Sequence, residues 1–560
     1  MINLLVHLFI ICSYFKALGS VQIEVDALIE WKNSLHTDSQ LVLSSWSPNS
    51  SSPCKWLGIT CDSTLNVDTL NLTDSDINGT LYHFNFSSFN SLTALNLRNN
   101  SLNGAIPSHI ATAKSLRFLH LGFNFFTGEV PPALCNLTNL SVLNMGSNFF
   151  TGSIPSEIGK LTSLVELRLY LNNLTGPIPS SIGTMTSLKI LSLYGNQLSG
   201  HLPLEFNKLT NLTLCYLSNN TIGGPLPESI CEGGILADFC GSNNMFVGIV
   251  PKGLRNCTSL IRLRLDRNHL VGNISEDFGV YPVLDFVDLS YNNFHGEVSP
   301  EWGKCSNLTS LRISNNNITG VIPPAIGDLT KLHFLDLSSN NLQGEVPRQL
   351  SKLPSLFNLT LSNNKLTGAI PSEFGSLSEL EYLDLAGNSI SGDIPPEISR
   401  CSKLRYLNLS RNHLQGEIPI QIGNLEELQV GLDLSRNNLS GQIPPQLGHL
   451  DRLESLDISH NEFNGWIPSS LSNMISLQKV DFSYNTLEGP IPDNLKAFKE
   501  AFSQNKALCG SSWLPPCISH RNSVHKTNKA VKIVALALFV CALCLVVALV
   551  AVFRQSNRRR

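Results

Sequence analysis

The chain has 560 residues, 15% of them charged, with a net charge of −4. That length exceeds one ordinary globular core, so several domains or a repeat array are expected. The charge balance excludes a polybasic nucleic-acid surface, and fourteen cysteines are too few for a disulfide-dense miniprotein.

At the N-terminus, INLLVHLFIICSYF is short and apolar, and ALGS after it supplies small residues for cleavage. Residues 1–19 read as a secretory signal peptide, although the n-region lacks Lys and Arg. Residues 20–66 bring Trp31, Trp46 and Trp56, with Cys54 and Cys61 closely spaced.

From 67 to 499 the chain is periodic. LDLSSN ends at Asn340, and steps of 24 reach LTLSNN at Asn364, LDLAGN at Asn388 and LNLSRN at Asn412. The same step runs backward to Asn100. An extra residue near Val430 shifts the series to Asn437, Asn461 and Asn485, and a step of 25 before Asn100 puts Ser75 in the Asn place. In L-x-L-x-x-N the leucines lie two apart, so on a strand both face inward. One coil cannot bury them, whereas stacked coils make a continuous apolar interior. The Asn is expected to face inward as well, its amide satisfying backbone groups of neighbouring coils. Eighteen such units predict roughly 85 Å of parallel sheet at ~4.8 Å per coil. The second half of each unit, as in NLSGQIPPQLGHL, carries G-x-I-P, where Pro removes a donor and dictates a short edge strand or extended turn.

This unit resembles the plant-specific class of extracellular leucine-rich repeats. The resemblance implies an α/β-type repeat solenoid, a right-handed superhelix of about 18 coils with a concave parallel sheet. Solenoid ends need caps. The segment 20–66, and ALCGSSWLPPC with Cys509 and Cys517 in 500–532, resemble the caps of plant receptor kinases with leucine-rich ectodomains. Extracellular context favours disulfides in both over zinc, since no His lies at ligand spacing. Cys257, Cys305 and Cys401 take the place of Leu161 and are expected as small buried residues, while Cys135 and Cys231 take the Gly159 place. Cys231 and Cys257 lie in adjacent coils, either bonded or packed as thiols.

Ile533 to Phe553 is 21 residues without charge, about 32 Å as a helix and enough to cross a bilayer. Arg554, Arg558, Arg559 and Arg560 follow in the tail 554–560 and favour the cytoplasmic side. The expected topology is single-pass type I in the plasma membrane, with the repeats outside. Sequons at Asn49, Asn78, Asn85, Asn99, Asn136, Asn139, Asn173, Asn211, Asn219, Asn256, Asn273, Asn307, Asn317, Asn358 and Asn438 are expected to carry glycans. Asn71 and Asn408 are sequons expected to lie within the packed sheet, unmodified.

No kinase Gly-rich loop, H-R-D, D-F-G, G-x-S-x-G or H-E-x-x-H occurs, so no catalysis, cofactor or metal is expected. Function is then sought at the outward strand positions, which lie six, four and two residues before each ladder Asn. From Asn340 onward the position two before is usually Ser, and four before is usually Asp, Asn or Thr. Earlier coils depart from this. Phe118 and His120 precede Asn124. Glu166, Arg168 and Tyr170 precede Asn172, and Tyr194 and Tyr216 are read as continuing the strip. Arg262, Arg264 and Asp266 precede Asn268. A line of exposed aromatics with nearby charges suits an extended peptide. Two guanidinium groups can clamp a carboxylate, and the R-x-R of Arg262 and Arg264 resembles the pair that peptide-sensing plant receptor kinases use to hold a ligand's free C-terminus. Asp266 offers the competing outcome, a solvated salt bridge.

Ser275 and Ser299 replace the repeat Pro in GNISEDFG and GEVSPEWG, and FCGSNNMFVGIVP is the most irregular stretch. This block resembles receptor kinases of the male-discoverer-interacting type. The resemblance implies a receptor that binds a secreted peptide and recruits a co-receptor kinase with a short leucine-rich ectodomain. The sequence carries no kinase domain, so a truncated receptor kinase is expected. The alternative is a kinase-less adaptor or decoy, but such proteins have an acidic segment outside the membrane, whereas HRNSVHKTNKAVK is basic.

Overall fold

The computed structural model describes residues 20–517 and 523–556. The expected signal peptide and residues 557–560 lie outside the described residues.

A helix over 20–34 and a second at Thr37–Val42 begin the N-terminal cap. The strand Ile59–Cys61 runs antiparallel to Val67–Asn71, and Cys54 is bonded to Cys61. Trp31 and Trp46 are fully buried, and their indole N–H groups donate to Thr80 O at 2.9 Å and Leu57 O at 3.0 Å. The cap therefore covers the first coil with apolar rings whose polar edges are satisfied. Glu24 lies beneath it, 2% exposed, with Oε2 accepting from Val67 N at 2.8 Å. Burial pushes its carboxyl up to about 7, against the lowering effect of that hydrogen bond.

From Val67–Asn71 to Lys479–Asp481 each three-residue strand pairs in parallel with the next coil's strand and in the same register. Glu166 faces Ile190, Ile190 faces Leu214, and Leu214 faces Asp238. The middle residue of each strand is a buried Leu, Val, Phe or Cys. The ladder asparagines tie the coils together. Asn340 Nδ2 donates to Ile313 O, Leu337 O and Ser338 O at 3.0–3.2 Å, and its Oδ1 accepts from Ile318 N at 3.1 Å. Two of those partners belong to the preceding coil, so one amide bonds backbone groups of both coils where the chain turns. The series extends past the last repeat read from the sequence. Asn505 accepts from Leu487 N and donates to Phe482 O, although its spacing breaks the 24-residue step.

The G-x-I-P segments are paired more fully than expected. The short strands at their glycines, such as Phe125–Glu129 and Phe149–Thr151, pair coil to coil in short parallel sheets on a second side. The following Pro then opens a 3₁₀ turn, as Pro155 does before Ser156–Lys160. At Gly159 an added Cβ would sit 2.2 Å from Ser181 O, which shows how closely these turns stack.

The irregular block has a physical account. Turns over 228–233 replace the 3₁₀ helix, and Cys231 is bonded to Cys257 in the next coil. Ser299 substitutes for Pro by capping, its Oγ accepting from Glu301 N at 3.2 Å. Cys135, Cys215, Cys240, Cys305 and Cys401 are buried free thiols, and Cys509 is bonded to Cys517 at the C-terminal end. A helix spans Ser523–Ser556, starting well before Ile533, and its apolar stretch Val534–Val552 is 19 residues long, about 28 Å.

Candidate ligand-binding face

Strand alternation fixes what the concave face displays. Each strand's first and third residues point outward, and so does the residue two before the ladder Asn. Asn71 and Asn408 belong to these outward columns. Asn71 is exposed and Asn408 half-buried, which corrects the expectation that both are packed inside the sheet.

Phe118 and His120 share the strand Phe118–His120, their rings edge-on at 6.0 Å. Burial, followed by the nearby Arg98, holds His120 down to about 4, so the imidazole is neutral. Its Nε2 is buried and has no hydrogen-bond partner among the described residues. Glu166 and Arg168 form an ion pair along their own strand and so largely neutralise one another.

Tyr170 and Tyr194 stack at 5.0 Å with an interplanar angle of 1°. Tyr170 is only 9% exposed, because its ring lies flat over the preceding coil's backbone at Gly146. A Cβ on Gly146 would meet that ring at 2.5 Å, so the glycine is what lets it lie down. The expected line of exposed aromatics is thus a recessed bed, extended to the rim by Phe123 at 6.3 Å from Tyr170. Tyr216 is not part of it. In register it stands beside Ser192 and Cys240, one column away, and its hydroxyl donates to Asp238 Oδ2 at 2.7 Å. Burial, then that bond, pushes the phenol up.

Arg262 and Arg264 project from the strand Arg262–Arg264. Asp266 is 7% exposed and accepts from Ser242 Oγ at 2.5 Å and from Arg264 Nη2 at 3.4 Å. Its pairing with Arg264 is therefore shared and long. Among the described residues the buried Arg264 Nε has no partner. Among the described residues Arg262 has no ion pair, and its guanidinium lies over Phe286 at 4.9 Å. The competing salt bridge thus engages one arginine and leaves the other free.

Sequence reading passed over Phe286 and Arg312. Phe286 and Arg312 stand at outward positions, six before Asn292 and four before Asn316, and Arg312 departs from the Asp, Asn or Thr usual in its column, which was the available signal. Tyr382 and Tyr406 likewise lie on the half read as uniform, 6.2 Å apart.

These coils and caps define a leucine-rich-repeat ectodomain, and comparison with known proteins agrees. Residues 22–62 match the family described as Leucine rich repeat N-terminal domain, 67–200 a leucine-rich repeat region, and 282–414 overlapping leucine-rich repeats. The ectodomain of the Arabidopsis thaliana receptor kinase GASSHO1/SCHENGEN3, solved with CASPARIAN STRIP INTEGRITY FACTOR 2, is 31% identical; the match covers 88% of this chain and 64% of that one, with TM-score 0.67. Arabidopsis HAESA, solved with the peptide hormone IDA and the co-receptor SERK1, is 31% identical over 87% of this chain and 98% of that one, with TM-score 0.56. MDIS1-interacting receptor like kinase 2 of Arabidopsis thaliana is 38% identical over 106 residues, which is 18% of this chain and 10% of that protein. The chain belongs to the leucine-rich-repeat receptor-like kinase family of plants, represented here by its repeat ectodomain and one apolar helix. Matches to the curated Arabidopsis kinases span 8 to 14% of their own length.

Proposed function

We propose that the chain is the sensing part of a single-pass type I receptor of the plasma membrane. Its concave face binds an extended secreted peptide and grips the free C-terminal carboxylate between Arg262 and Arg264. The observation that carries this reading is the Arg262 guanidinium, parked on Phe286 with no ion pair beside an Arg264 whose Nε is unpartnered. Two adjacent guanidinium groups suit the two oxygens of a carboxylate, and charge-assisted bonds of this kind are the strong ones. The Tyr170–Tyr194 bed offers flat apolar area for ligand side chains.

The likeness to HAESA supports a second partner, a co-receptor kinase with a short leucine-rich ectodomain that docks once peptide is bound. The apolar helix at Val534–Val552 supports the membrane anchor. The test uses the full chain in lipid nanodiscs with a random decapeptide library bearing free C-termini, and the same library amidated. Retained peptides are read by mass spectrometry. Retention from the free-acid library alone is expected, with loss in the Arg262→Ala/Arg264→Ala variant. Equal retention from both libraries rejects the carboxylate grip.

A further inference from the structure

Three guanidinium groups converge on one ring. The Cζ atoms of Arg262, Arg264 and Arg312 lie 4.9, 5.8 and 5.4 Å from the centroid of Phe286, and Arg312 also lies 3.9 Å from that of Phe334. The strand register explains the convergence. Phe286 stands between Arg262 and Ser310, and Asp288 stands between Arg264 and Arg312. Two arginines therefore reach the ring from the coil before it and one from the coil after it.

The carboxylates nearby are mostly occupied. Asp238 takes the Tyr216 hydroxyl, Asp266 takes Ser242 and Arg264, and Asp288 takes Ser290 N at 3.1 Å. Among the described residues Arg312 makes no ion pair, and its Nε donates to Ser310 Oγ at 3.2 Å. Asp238, Asp266 and Asp288 offset the repulsion among these cations from within the strands, while among the described residues Arg262 and the Nη groups of Arg312 keep donors free for a ligand anion. The ring face attracts each cation and holds all three in place before any ligand arrives.

The geometry points to a three-arginine anion site, in which Phe286 is the shared platform and Arg312 closes from the far side on the carboxylate that Arg262 and Arg264 receive. The inference rests on the reading of Arg262 and Arg264 as a carboxylate grip, and it adds a residue from two coils away to that site. A carboxylate has about four lone-pair positions, so single bonds from Arg262 and Arg264 leave room for the fork of Arg312. An anion enclosed from both sides makes the ligand's C-terminus a true end, since a continuing chain would have to pass through Arg312.

The test takes the tightest peptide that the wild-type chain in nanodiscs retains from the free-acid decapeptide library. Its affinity is measured for wild type, Arg312→Ala, Arg312→Lys and Phe286→Leu, with thermal unfolding of each. Arg312→Ala is expected to weaken binding at least tenfold with an unchanged melting temperature. Arg312→Lys keeps the charge and loses the fork, so a loss of about threefold is expected. Wild-type affinity in Arg312→Ala or Arg312→Lys, with binding lost in Arg262→Ala/Arg264→Ala, overturns the third arginine and leaves the two-arginine grip standing. A wild-type chain that does not distinguish free acid from amide overturns both.

Discussion

The two halves of the concave face share one scaffold and differ in how their outward polar groups are satisfied. In the C-terminal half, Asp336, Asp433, Asp457 and Asp481 each turn Oδ1 back to the N–H of a serine two residues on, at 2.8–3.0 Å. Those groups are content within their own strand. In the N-terminal half and the centre, His120 Nε2 and Arg264 Nε are buried without partners, and guanidinium groups rest on aromatic rings. The difference teaches that identical coils supply a neutral background against which unsatisfied atoms single out the surface proposed to bind ligand.

The largest effects should ignore the division. Asn268→Ala and Asn461→Ala, one from each half, each remove four hydrogen bonds and leave one buried N–H without its acceptor, and each is expected to cost about 3 kcal/mol in urea unfolding. A marked inequality would show that the scaffold itself differs between halves.

The next effect lies in the cap that covers the N-terminal half. Glu24 has its carboxyl raised from 4.5 to about 7, so the folded state holds its proton more tightly than the unfolded chain. Its stabilising contribution is complete below pH 4.5 and is lost as pH rises toward 7. Glu24→Gln should therefore stabilise the cap at pH 7 by about 2 kcal/mol and make little difference at pH 4, as read by thermal unfolding across that range.

Binding comes next. Arg262→Ala with Arg264→Ala should weaken a retained free-acid peptide by about 2 kcal/mol in calorimetry while the fold stays intact. Gly146→Ala thrusts a methyl into the Tyr170 ring and should cost about 1–2 kcal/mol of stability together with some peptide affinity. Smallest of all, Ser459→Ala in the C-terminal half should change stability by no more than about 1 kcal/mol and leave peptide affinity unchanged. A loss of affinity there would extend the binding surface into the background half.

The repeat was legible because stacking imposes it. Inward leucines and ladder asparagines recur at one step, and a strict period survives in a single sequence. Asn505 was missed because the C-terminal end departs from that step while keeping the amide's role. The outward columns were legible as positions but less so as environments. Whether Tyr170 stands up or lies down depends on Gly146, 24 residues earlier and one coil away. Tyr216 was assigned to the Tyr170 column, although its register partners are Ser192 and Cys240. Phe286 and Arg312 differ from their columns only modestly as letters, and their importance arises from three side chains meeting across coils. The Cys231–Cys257 bond was left open because both residues also suit buried apolar places.

The uniform register has a metric consequence. Four strand-to-strand steps separate Glu166–Arg168 from Arg262–Arg264, and each step is about 4.8 Å. With every coil stitched to the next by an amide, this interval is a stiff graduated scale of about 19 Å. An extended chain advances about 3.4 Å per residue, so about six residues fit between a side chain resting on the tyrosines and a terminus held by the arginines. On the proposed reading, the coils between these marks set the length of ligand that reaches both.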